Sequence, residues 1–266
     1  MYHTVQLFDL DFISAPSLAD IIDSIMDYQH TLGDDKKLPF VITPNADQIV
    51  KLSQPEHKIL KEKLCNVQFI LPDGQPIVWF SRLVRKPLPA RLTGSDLFPL
   101  LWQKIKLHRQ KNLVIISNES IGSKLKQDYD NIIYYAPPFF EANTPSQDKI
   151  AKNIVSKIEE FQPKYVIVGV GFPKQEWLSL AIHTTLLKLR IPSPLFLCLG
   201  ASAEFYVGTK KRAPLFLQKV GLEWLHRLWL EPKRMWRRYI LGSMYLLILF
   251  SKEFKRELSR KRNSST

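Results

Sequence analysis

Cysteine is nearly absent from this 266-residue chain: only Cys65 and Cys198 occur, 133 positions apart and both in apolar, strand-like surroundings. No C-x-x-C pair or secretory context supports a disulfide framework, and a reducing compartment fits best. Long apolar runs are missing too. The most apolar late stretch, Tyr239–Phe250, covers twelve residues broken by Gly242 and Ser243, whereas a spanning helix needs roughly 20. Met1 to Phe12 contains no Lys or Arg and carries Asp9 and Asp11, so a signal peptide's basic and apolar regions are both lacking and export is not expected. The six histidines show neither H-x-x-x-H nor H-x-H spacing, so no metal cluster is supported.

What is present is an ordinary folding composition with an uneven charge. Hydrophobic residues make up 45% and charged residues 24%, which excludes a mainly disordered chain. Residues 209–266 hold 15 Lys and Arg against 4 Asp and Glu, and so carry +11 of the net +13. A basic tail suits nucleic acid, an anionic membrane or an acidic partner. Trp224, Trp229, Trp236, Tyr239 and Tyr245 cluster with the tail arginines as interfacial belts do; Trp and Tyr beside Arg also suit single-stranded nucleic acid, and the apolar Tyr239–Phe250 stretch favours lipid. The competing interpretation is a helix packed on the core with a solvated basic end.

Short apolar runs recur at 40–43, 65–71, 113–117, 132–136, 165–170 and 195–199, and read as buried strands. Helical stretches lie between them at 47–64 (interrupted at Pro55), 95–109, 146–161 and 175–189, with Ser95, Thr144 and Ser146 as expected cap residues. This alternation predicts an α/β, Rossmann-like fold with a largely parallel sheet and helices on both faces. The expected organisation is a catalytic domain over 1–208 and a basic, Trp- and Arg-rich helical appendage over 209–266.

Ligands of such sheets sit beyond the carboxyl ends of the strands, so chemistry is sought there. Thr43 and Asn45 offer a hydroxyl and an amide suited to sugar hydroxyls, although Asn45 or Asp47 can also make an ordinary helix cap. Asp73, followed by Gly74, can act as a general base, while an Asp-Gly turn needs no catalysis. Arg91 before Gly94-Ser95 supplies a guanidinium and a helix start, both natural phosphate-binding elements. Gly169-Val170-Gly171-Phe172-Pro173-Lys174 begins like a dinucleotide fingerprint, but Lys174 stands at the third glycine position, which disfavours a dehydrogenase. Gly171, Lys174 and Gln175 then suit a phosphate or sugar. Gly200 and Glu204 close the last strand, Glu204 facing either ribose hydroxyls or one of Lys210, Lys211 and Arg212. Asp9-Leu10-Asp11 superficially offers paired carboxylates for a metal, yet its apolar neighbours favour a structural role.

These pieces together resemble the WecG/TagA/CpsF family of bacterial glycosyltransferases. The resemblance runs through Thr43-Pro44-Asn45-Ala46, Pro72-Asp73-Gly74, Leu88-Pro89-Ala90-Arg91 with Gly94-Ser95-Asp96-Leu97, Pro173-Lys174-Gln175-Glu176-Trp177, Arg212-Ala213-Pro214, and the segments Gly221–Leu228, Glu231–Arg234 and Arg237–Tyr239. It implies an inverting transfer of a hexose, hexosaminyl or hexuronosyl residue, such as N-acetylmannosamine, from a UDP-sugar to an undecaprenyl-diphosphate-linked sugar. The implied location is the inner face of the cytoplasmic membrane, the products are cell-envelope polymers, and no metal cofactor or nucleic acid takes part. It further implies Asp73 as general base, Arg91 near the diphosphate, Thr43, Asn45 and Gln175 around the transferred sugar, and Arg227, Arg234, Arg237 and Arg238 in an appendage that closes the site at the membrane. Homo-oligomerisation stays open. Two places depart from the family pattern: Ser117-Asn118 where many relatives carry a Gly-Gly turn, and Ala203-Glu204 where an aromatic-acidic pair is usual.

Overall fold

The computed structural model describes residues 2–31, 37–214, 216, 217, 223, 228, 229 and 232–263, the side chains of 233–243 and 260–263 excepted. A hairpin of β1 (His3–Leu7) and β2 (Leu10–Ser14) is followed by β3 (Leu38–Ile42), β4 (Val67–Ile70), β5 (Asn112–Ile116), β6 (Ile132–Tyr135), β7 (Tyr165–Gly169) and β8 (Leu195–Cys198). They form one sheet in the order β1-β2-β4-β3-β8-β7-β5-β6, in which β1 alone runs antiparallel to its neighbour. The six strands expected from the apolar runs are all present. The hairpin is additional: its turn uses Phe8 and Asp9, both at positive φ, instead of the Asn-Gly or Asp-Gly that advertises such turns.

The central strands are apolar on both sides because both sides are covered. Phe40, Ile42, Val166 and Val168 point to one layer, while Val41, Tyr165 and Ile167 point to the other. The first layer contains α2 (Ala46–Leu52), α3 (Lys58–Leu64), α4 (Gln75–Leu83), α7 (Pro145–Phe161) and α8 (Lys174–Lys188). The second contains α1 (Ala19–Asp27), α5 (Gly94–Leu107), α6 (Glu119–Asp128) and the short α9 (Ser202–Tyr206). Pro55 does divide α2 from α3, opening a short 3-10 turn over Pro55–His57. The cap of α5 is Thr93, not Ser95: Thr93 Oγ1 accepts from Asp96 N at 3.0 Å. Thr144 does sit at the N-cap of α7, but makes no side-chain cap bond there.

The last described element, α10 (Pro232–Asn263), is one continuous 32-residue helix starting at Pro232. Its far half is packed on the sheet domain. Phe250 stacks on Phe80 of α4 with ring centroids 4.0 Å apart, and Phe8 completes the aromatic layer at 5.8 Å from Phe250. Buried Glu253 accepts from Phe8 N at 3.2 Å, and buried Glu257 pairs with Lys86 at 2.7 Å. Asp9 in the hairpin turn bonds Lys61 at 2.8 Å and pairs with Arg256. Burial disfavours ionised Asp9, but those two cations outweigh it and hold its carboxyl below the usual range. Asp9 is therefore part of the clasp on α10, which explains an acidic residue in that turn. The outward side of α10 leaves Met244, Tyr245, Leu247 and Ile248 exposed beside exposed Lys252 and Lys255.

Candidate active site

The strand order brings the carboxyl ends of β4, β3, β8 and β7 side by side. β3 and β4 leave the sheet together: Leu71 N donates to Ile42 O at 2.9 Å and Asp73 N to Pro44 O at 3.3 Å. Asp73, half-buried, therefore stands directly beside the Thr43–Asn45 segment. Leu92 N donates to Pro72 O at 2.9 Å, which pulls the start of α5 across the same edge. There Gly94 N donates to Asp73 Oδ2 at 3.4 Å, so the carboxylate faces the positive end of a 14-residue helix. A side chain at position 94 would not fit. Its Cβ would lie 2.9 Å from Thr43 Oγ1 and 3.2 Å from Ser202 Oγ. Gly94 thus lets the ends of β3 and β8, the start of α5 and Asp73 converge.

A charged cluster flanks this point. Arg212 Nη1 donates to Asp96 Oδ1 at 2.6 Å, and Nη2 reaches Thr93 Oγ1 at 3.5 Å. Burial works against ionised Asp96, but the bonds from Arg212 and Thr93 and the nearby Arg91 outweigh it and hold the carboxyl below the usual range. Burial also disfavours the Arg212 cation. The carboxylates of Asp96, Glu223 and Asp73 reverse that effect and bind its proton more tightly. Arg91, largely buried, lies 3.7 Å from Glu223. Two guanidiniums thus converge on the edge where Asp73 sits, an arrangement suited to a diphosphate leaving group. Arg212 was not among the expected site residues; the Arg212-Ala213-Pro214 motif was its signal.

The other expected residues are placed as follows. Asn45 caps α2 in a reciprocal box with Gln48, its Oδ1 accepting from Gln48 N at 3.2 Å and its N–H donating to Gln48 Oε1 at 2.9 Å. Gln175, 2% exposed, uses its amide inside the protein: Nε2 donates to Glu176 Oε1 at 2.8 Å and Cys198 O at 3.3 Å, while Oε1 accepts from Gly200 N at 3.0 Å. Lys174 lies over the ring of exposed Phe139, 4.1 Å from its centroid. Gly171 and Gly200 both take the left-handed conformation, with φ of +82° and +56°. Glu204 accepts from Ser117 Oγ at 3.0 Å and pairs with Lys210, while Arg212 is taken by Asp96. The two departures from the family pattern therefore touch each other. Arg227 and the side chains of Arg234, Arg237 and Arg238 lie outside the described residues.

Glu176 itself is 3% exposed, and burial pushes its carboxyl up to about 7 against the weaker lowering by the Gln175 hydrogen bond. Burial likewise raises the Cys198 thiol. Among the described residues no group of three or more His, Cys, Asp and Glu is arranged to hold a metal ion. Nor, among them, is any helix long and apolar enough to cross a membrane.

Comparison with known proteins identifies the family. The model of the Glycosyl transferase WecG/TagA/CpsF family matches residues 5–261. An N-acetylglucosaminyldiphosphoundecaprenol N-acetyl-beta-D-mannosaminyltransferase of Bacillus spizizenii (strain ATCC 23059 / NRRL B-14472 / W23) is 28% identical over 259 residues, covering 94% of this chain and 92% of the relative. A protein with the same name from Staphylococcus aureus (strain MRSA252) is 30% identical over 203 residues, 74% of each chain. Matched along nearly its whole length, and with Asp73, Thr43 and Arg91 drawn to one edge of a parallel sheet, this chain belongs to the WecG/TagA/CpsF family of glycosyltransferases.

Proposed function

We propose that this enzyme transfers an N-acetylhexosaminyl residue, N-acetylmannosamine in the first instance, from its UDP-sugar to a sugar carried on undecaprenyl diphosphate. The substrates are those in the names of its relatives, N-acetylglucosaminyl-diphosphoundecaprenol as acceptor and the mannosaminyl group as the unit moved. The observation that carries the assignment is Asp73 at the carboxyl edge, beside the start of α5 and within the field of Arg212. Asp73 takes the proton of the attacking acceptor hydroxyl. The hydroxyl oxygen forms the new bond to the anomeric carbon, and the bond to the diphosphate breaks with its electron pair leaving on UDP. Displacement from the face opposite UDP inverts the anomeric centre. Arg91, Arg212 and the α5 N-terminus stabilise the departing charge, so no metal is required. Thr43 and Asn45 line the sugar side, Gly171 and Lys174 the opposite wall, and Gly200 and Glu204 the nucleotide side.

The enzyme works at the inner face of the cytoplasmic membrane, bound peripherally through its C-terminal appendage. Support comes from the net +11 after residue 208 and from α10, whose exposed Met244, Leu247 and Ile248 adjoin Lys252 and Lys255. The tail arginines Arg227, Arg234, Arg237 and Arg238 are assigned to the lipid-diphosphate. A screen of UDP-sugars against a short-chain lipid-diphosphate N-acetylglucosamine acceptor, read by mass spectrometry, tests the assignment. Addition of one N-acetylhexosamine unit is expected, and no transfer from any UDP-sugar would refute it.

A further inference from the structure

Glu176 is a buried carboxyl group that the proposed chemistry does not use. It is 3% exposed in the first turn of α8; Oε1 accepts from Gln175 Nε2 at 2.8 Å, and Oε2 is buried with no hydrogen-bond partner. An apolar residue would be easier to accommodate in such a place, because a buried carboxyl with a bare oxygen is destabilising whichever form it takes. The bond from Gln175 leads towards the site. The Gln175 amide that it holds also donates to Cys198 O and accepts from Gly200 N, joining α8 to the turn after β8. Ser179 reinforces the junction, donating to Gln175 O at 2.8 Å and lying 3.4 Å from Cys198 Sγ.

The turn so held has little tolerance. Gly200 is in the left-handed conformation, and a Cβ on Gly169 at the end of β7 would lie 2.9 Å from Gly200 O. Two residues beyond it, Ser202 packs on Gly94, and four residues beyond it Glu204 faces Ser117. A primary amide can rotate by half a turn and exchange its oxygen and nitrogen. If the Gln175 amide were reversed, its nitrogen would face the Gly200 N–H and its oxygen the Cys198 carbonyl, donor against donor and acceptor against acceptor. The Gly200 N–H and the Cys198 carbonyl thus set the orientation, and the Glu176 oxygen, accepting from Nε2, adds a third and shorter bond that holds the amide in it.

We propose that Glu176 is a positioning residue for the nucleotide-side wall: it locks the Gln175 amide, which in turn fixes the Gly200 turn that receives the UDP-sugar. The final step of this chain rests on the reading of the site as a UDP-sugar site; the lock on Gly200 does not. Its upward-shifted proton affinity agrees with a site built for orientation at the expense of stability.

Two variants of the full chain test it. Glu176→Gln keeps an acceptor oxygen at Oε1, whereas Glu176→Leu removes it at similar volume. Hydrogen–deuterium exchange of the Gly200 amide is measured first, without ligand, together with the thermal midpoint. Exchange about tenfold faster in Glu176→Leu, with wild-type exchange in Glu176→Gln, is the expected pattern for loss of one buried hydrogen-bond anchor. UDP binding by calorimetry is measured next, and about tenfold weaker binding in Glu176→Leu, restored in Glu176→Gln, is expected. Unchanged Gly200 exchange in a folded Glu176→Leu would overturn the lock. Faster exchange with unchanged UDP affinity would overturn the positioning role. Failure of the wild type to bind UDP would instead sink the nucleotide-sugar reading, and the exchange comparison would still decide whether the lock exists.

Discussion

Asp73 and Gly94, 21 positions apart, meet through a 3.4 Å hydrogen bond from the Gly94 amide to Asp73 Oδ2. The bond sets the candidate base against a helix N-terminus, where an ionised carboxylate is favoured. Because a Cβ at 94 would lie 2.9 Å from Thr43 Oγ1, Gly94→Ala must displace the Thr43 side chain or the start of α5. Overpacking of this kind costs about 1–3 kcal/mol, and turnover should fall more than stability would explain, since it moves Thr43 and Asp73 together. Thermal melts beside transfer rates check this. Wild-type rates in Gly94→Ala would mean that this convergence is not catalytic.

The Arg212–Asp96 pair is half-exposed, so its structural value is modest, about 1 kcal/mol after solvent screening. Asp96 has a lowered folded-state proton affinity, so its contribution is present above the unfolded carboxylate range and is lost as pH falls. Arg212→Met should therefore lower the melting temperature at neutral pH, and the difference from wild type should close only as pH falls below the ordinary carboxylate range. UDP affinity should fall about tenfold or more, the scale of a charge-assisted phosphate contact. UDP titration together with melting curves across pH separates the two roles.

Truncation after Gly208 removes both the basic excess and the helix whose Phe250 stacks on Phe80. Binding to anionic liposomes and transfer to a lipid-linked acceptor should both be abolished. The milder Phe250→Ala keeps every tail charge while loosening the clasp, and is expected to cost about 2 kcal/mol. Sedimentation with vesicles and transfer assays on membranes are the measurements. Full membrane activity of the truncated chain would show that the tail does not dock the enzyme.

Chelation separates a metal-assisted from an arginine-assisted departure of UDP. Arg212, which feels the Asp73 charge, and Arg91, paired with Glu223 at the same sheet edge, lead us to expect no inhibition by EDTA. Strong inhibition reversed by magnesium or manganese would assign leaving-group stabilisation to a metal. Asp9, engaged by Lys61 and Arg256, would then need to break those bonds to serve it.

The strands were legible because buried parallel strands are written as short apolar runs, and each run from Phe40 to Leu199 lies on a strand. The hairpin was not, since its turn carries Phe8 and Asp9, whose positive φ makes sense only once Phe80, Lys61 and α10 surround them. Asp73, Thr43 and Arg91 were legible as strand-end or helix-start chemistry. Arg212 was hidden because its partner Asp96 is 116 positions away, and sequence neighbours suggested Glu204 instead. From its place after a glycine turn, Gln175 reads as a ligand contact. Only the fold reveals that its amide bonds Gly200, Cys198 and Glu176.

The most direct measurement is the turnover of Asp73→Asn in transfer from UDP-N-acetylmannosamine to a short-chain lipid-diphosphate N-acetylglucosamine acceptor, with UDP affinity measured on the same sample. Loss of the general base should lower turnover by about 100-fold or more while UDP affinity stays at the wild-type value. Near-normal turnover would contradict the assigned mechanism and return Asp73 to a structural part in the turn before α4.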